Sequence, residues 1–148
     1  MSLADWERNG WLMKHATSQS EIADLFSIID RDLSDAKEEG ISHDWQFGIA
    51  YNAALKLCTV LLHASGYRAT GSLHHYRTIQ ALPLILGDSA KELCEYLETC
   101  RKKRNIVEYD YAGCVTHRDA LELISSAEEL KSRVMEWLTR QHPDLLGS

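Results

Sequence analysis

The chain has 148 residues, 45% of them hydrophobic and 26% charged, with two prolines and eight glycines. That composition suits one globular domain and leaves little room for disorder or a long linker. The formal net charge of -6 argues against a surface that attracts nucleic acid everywhere, because non-specific binding follows the phosphates that Lys and Arg neutralise, so any such binding has to be local.

In chain order, a short N-terminal helix is expected over 3–16, carrying Trp6 and Trp11, and then a bundle over 19–141 with a short tail over 142–148. Ser18 with Glu21 three residues on has the form of a capping box, in which hydroxyl and carboxylate each satisfy a backbone donor of the first turn. A helix over 19–39 follows, with Ile22, Leu25, Phe26, Ile29, Leu33 and Ala36 on one face and Gly40 placed to stop it. The next helix begins after Ser42 and runs to about residue 65. Its stripe of Ala50, Ala53, Ala54, Leu57, Leu61 and Leu62 is rich in small residues, which allows another helix to approach closely.

Residues 66–72 have loop composition, and a short helix from about Leu73 is interrupted or ended by Pro83. Ser89 reopens a helix that bends or frays over 109–113. Thr116 with Asp119 caps a final helix to Gln141, with Leu121, Ile124, Ala127, Leu130, Val134 and Leu138 inward. No segment alternates at period two, so no strand is expected, and the fold class is all-α: an up-and-down helical bundle of four to five main helices.

The cysteines Cys58, Cys94, Cys100 and Cys114 show neither a CxxC pair nor zinc spacing, and they read as free thiols of a cytoplasmic protein. No run of about 18 uninterrupted apolar residues points to a membrane span. His74 and His75 are adjacent and therefore about 100° apart on a helix, so at most one could join His63 or His117 around an ion. Neither a metal nor a cofactor is expected, and one of the pair is expected to cap or line a groove.

The stretch CRKKRNIVEYDYAG, residues 100–113, poses the functional question. At about 100° per residue Leu93, Leu97, Cys100, Arg104, Val107 and Tyr111 fall near one line, so Arg104 points where the apolar stripe points. A guanidinium there needs a partner carboxylate, such as Glu108, Glu95 or Glu98, or a wet cleft with a phosphate in it. Arg101, Asn105, Glu108 and the rings of Tyr109 and Tyr111 complete a ligand-facing inventory, and Arg68 in the loop GYRATG could reach a ligand at the bundle end.

The stretches AYNAALKLCTVLLHASGYR with HHYRTIQAL, and RNIVEYDY, resemble the HEPN family of small helical nucleotide-binding domains, over most of the chain. Its hallmark is an Arg, often followed by Asn, and after four to six residues a His. Arg104 and Asn105 match that start, Tyr109 stands at the His position, and Tyr111 stands where a toxin subgroup has a tyrosine. The resemblance implies a homodimer that gathers two Arg motifs across a two-fold. It also implies RNA or nucleotide binding, with Arg104 as phosphate anchor. Its catalytic members are metal-independent endoribonucleases of toxin-antitoxin or defence type, which would cast Arg104 and Tyr109 as the catalytic pair. Other members are non-catalytic modules that work with a nucleotidyltransferase or an antitoxin partner. A ligand-free structural bundle is the reading left open by the residues alone.

Overall fold

The computed structural model describes residues 1–109 and 113–147, the side chains of 107–109 excepted. Its architecture is helical. Helix α1 (Leu3–Arg8) leads to strand β1 (Leu12–Lys14), and α2 (Gln19–Ala36) and α3 (His43–Ala64) follow. Strand β2 (Tyr67–Ala69) precedes the short helices α4 (His74–Gln80) and α5 (Leu82–Leu86), and the long helices α6 (Lys91–Tyr109) and α7 (His117–Gln141) complete the bundle.

Two elements differ from the sequence expectation. The helix expected over 3–16 stops at Arg8, where Gly10 at φ 80° turns the chain. Leu12, Met13 and Lys14 then pair antiparallel with Ala69, Arg68 and Tyr67, in the stretch expected to be loop. A three-residue strand is too short to display a period, and its ladder partner lies more than fifty residues away in the chain. The two-stranded ladder borders a satellite core of Trp6, Leu12, Leu62 and Ala81, with Trp6 and Trp11 edge to face at 5.8 Å.

The bundle is organised around α3, which packs against α2 and α7 along its length and against α6 and α4 at other faces. The alanines at 50, 53 and 54 are sealed inside, as are Leu57, Cys58 and Leu61. Burial of each such leucine contributes roughly 1.5–3 kcal/mol. An 18-residue window within His43–Ala64 reaches a mean hydropathy of 1.3, long and apolar enough to cross a membrane by composition. Most of it is buried inside the bundle, which accounts for its apolarity without a membrane.

The caps explain where the long helices begin. Ser42 Oγ accepts from the Trp45 N–H at 3.1 Å, and Thr116 with Asp119 forms a complete capping box. At α2 only half of the expected box forms: Ser18 Oγ accepts from the Glu21 N–H at 3.1 Å, while the Glu21 carboxylate turns to other partners. Helix α2 ends at Ala36, three residues short of expectation, and Pro83 sits in the first turn of α5, where its missing N–H is no loss. On α7 the inward stripe holds except at Leu121, which is 50% exposed. The tail is not loose: Leu145 and Leu146 pack on the core, and the Gln19 side chain donates to the Asp144 carbonyl at 2.8 Å.

Candidate functional site

Helix α6 carries the basic run, which is braced within the helix and tied to a neighbour. Arg101 donates to both Glu98 oxygens, at 2.7 Å from Nη2 and 2.9 Å from Nε. Lys103 reaches Asp119 at 2.8 Å, tying α6 to the first turn of α7. After α6, the Gly113 N–H donates to Asp44 at the start of α3, at 2.7 Å.

Arg104 lies on the inward side of α6, half-buried, with its guanidinium over the ring of Tyr51 at 5.4 Å from the centroid. One turn earlier Arg101 stands over the ring of Tyr76, at 5.7 Å. The arginines thus each face an aromatic side chain from a different helix, Tyr51 from α3 and Tyr76 from α4, an arrangement that suits a cation and a π-face. Tyr51 is 1% exposed, and its hydroxyl finds no hydrogen-bond partner among the described residues. Burial raises the proton affinity of that phenol well beyond the ordinary range, although the Arg104 and Arg101 cations pull the other way.

His75 completes the group. Burial first, then His74 and the cations of Arg104, Arg101 and Lys56, hold its pKa below the ordinary imidazole value. The ring is therefore neutral at neutral pH and can accept a proton. His74 instead caps the preceding loop, its Nδ1 lying 3.0 Å from the Gly71 carbonyl oxygen.

The sequence-derived candidates divide accordingly. Arg101 and Arg104 come together on one face, and Asn105 follows them half-buried on α6. Glu98, one of the carboxylates considered for Arg104, engages Arg101. The Glu108 and Tyr109 side chains and the whole of Tyr111 lie outside the described residues. The α6 backbone runs unbroken to Tyr109, so the helical positions of Arg104 and Tyr109 are about 140° apart around the axis. Arg68 is exposed on β2 opposite Met13, with His63 as its electrostatic neighbour, and none of the contacts described for Arg101 or Arg104 includes it.

Tyr51, Lys56, His75 and Tyr76 were not singled out as ligand contacts by the sequence. Tyr51 reads there as packing at the start of a helix, and only the run HHYR hinted at a groove-lining histidine. The broad groove between α2 and α7 is a different kind of feature. It is bridged by Lys131–Asp30 at 2.5 Å and Lys37–Glu128 at 2.8 Å, and its lining has the mixed charge of an ordinary solvated face.

Comparisons of the chain with family models, with curated proteins and with solved structures find no match.

Proposed function

We propose that this chain is an RNA- or nucleotide-binding protein of the HEPN kind, with Arg104 and Arg101 as its phosphate-binding groups. The observation that carries the reading is the pairing of two arginines on one turn of α6 with two tyrosine rings from separate helices. The arginines and Lys56 act electrostatically on His75, whose ring they help to keep neutral. The charged groups at the two rings include, among the described residues, Arg101, Arg104 and Glu98, with Glu98 engaging Arg101. Guanidinium groups beside aromatic rings suit a phosphate and its base.

His75 favours a second reading, metal-independent cleavage of RNA. A neutral imidazole beside guanidinium groups can take the proton from a ribose 2′-hydroxyl while the arginines hold the phosphate. The 2′-oxygen then attacks phosphorus and the bond to the 5′-oxygen breaks; that oxygen takes a proton from water and leaves as a 5′-hydroxyl, and a 2′,3′-cyclic phosphate remains. In this reading His75 supplies the proton acceptor that the family places where Tyr109 stands.

The homodimer implied by the sequence belongs to the same proposal. Ile106, 45% exposed two residues after Arg104, supports an apolar contact between copies at that end of α6. A solution mass of one 16.8 kDa chain would count against it. The cytoplasmic setting is also proposed: all four cysteines are free, and Cys58, Cys94 and Cys100 are buried as thiols.

The test is anisotropy of a labelled single-stranded RNA pool with chelator present, using the wild type, Arg101→Ala, Arg104→Ala and His75→Ala. Each arginine variant should weaken binding and reduce the slope of log K against log salt by about 0.7, the value for one phosphate contact on a single strand. Cleavage, where observed, should leave cyclic phosphate ends and vanish in His75→Ala with binding retained. Absence of wild-type binding, or binding unchanged in both arginine variants, refutes the proposal.

A further inference from the structure

At the C-terminal end of α3, two histidines and a threonine converge on one carboxylate oxygen of Glu21. His15 follows β1, and its backbone N–H extends the ladder by donating to the Gly66 carbonyl at 2.9 Å. Glu21 lies in the first turn of α2, and His63 in the last turn of α3. His15 Nε2 and His63 Nδ1 each lie 2.8 Å from Glu21 Oε1, and the Thr17 hydroxyl donates to the same oxygen at 2.8 Å.

We propose that His15, Glu21 and His63 form a binding site for a divalent transition metal of the zinc class. Four features carry this. The donor set is two imidazoles and a carboxylate, nitrogen and oxygen ligands that zinc-class ions select. The ligand atoms lie within 4.8 Å of one another, and a tetrahedral ion with bonds near 2.1 Å needs its ligands about 3.4 Å apart. The two hydrogen-bond contacts therefore open by roughly half an ångström when an ion enters between them, within the range of side-chain rotation.

Third, Oε1 faces three hydrogen-bonding groups at once, so the carboxylate is held in position between the two imidazoles. Fourth, Glu21 occupies the capping-box position of α2, yet its carboxylate faces the two histidines. The side chains of His15, Glu21 and His63 are 21%, 34% and 17% exposed, which leaves room for a water as fourth ligand. Thr17 would keep the carboxylate oriented.

An ion here would clamp the β1 end, α2 and α3 together, separately from the Arg101–Arg104 face. Zinc titration of tag-free full-length protein stripped with chelator, followed by calorimetry and thermal melting, tests the site without RNA. About one equivalent should bind per chain and raise Tm. Cobalt in its place should give the visible absorption of a tetrahedral nitrogen and oxygen site. His15→Ala and His63→Ala should weaken binding by about 100-fold or more, while His74→Ala leaves it unchanged. Glu21→Gln, which keeps an acceptor for the histidines, serves where an alanine variant loses its helical circular dichroism. Absence of stoichiometric binding by the wild type, an octahedral cobalt spectrum, or binding undiminished in the folded variants overturns the site.

Discussion

Replacement of Tyr51 by Phe isolates one oxygen beneath Arg104. The hydroxyl is buried and has no hydrogen-bond partner among the described residues, so the native fold carries the cost of dehydrating it. That cost is about 1–3 kcal/mol for an unsatisfied buried polar group. The ring remains in Tyr51→Phe, so the face under the Arg104 guanidinium persists, and only the small gap left by one oxygen opposes the gain. The expected net change is a stabilisation of about 1–2 kcal/mol, which for a chain of this size raises Tm by about 2–8 °C. Urea unfolding followed by circular dichroism reads it as a higher midpoint at unchanged slope. A loss of more than about 0.5 kcal/mol would show that the hydroxyl is paired in solution, and the account of an unsatisfied hydroxyl at Tyr51 would fail.

Asp119 is held at about 2, below its ordinary 3.8, first by Lys103 and then by the Thr116 backbone N–H. Its unfolded form binds a proton first, so its stabilisation is present above pH 3.8 and is lost as pH falls toward 2. The stability difference between wild type and Asp119→Asn should shrink across that window in acid titrations of the urea midpoint, and a constant difference would refute the Lys103 pairing. On the same helix, Leu130→Ala should cost about 2–5 kcal/mol because Leu130 is fully buried. Leu121→Ala, on the exposed face, should stay within about 0.5 kcal/mol, and equal losses in urea would contradict the helix's orientation.

Helices α2, α3 and α7 were legible in the residues because their signals are local. Ser18, Ser42 and Thr116 cap first turns with their own side chains, and a core-facing stripe repeats at the helical period. The inward aim of Arg104 was legible for the same reason, since a helix assigns each residue an angle. Leu121 shows the limit: its angle lies at the edge of the α7 stripe, and the neighbouring elements decide whether an edge position is covered.

By itself, then, the sequence determined the all-α class, the starts of the long helices, and an arginine directed along an apolar face. Only the tertiary structure decided what meets that arginine, Tyr51 from α3, and that Tyr76 from α4 meets Arg101 one turn earlier. It likewise decided the β1–β2 pairing and the meeting of His15, Glu21 and His63. The physical reason is range. Caps and periods act over one or two turns of chain, whereas a shared oxygen or a ring beneath a guanidinium depends on how separate elements pack, which no local pattern records.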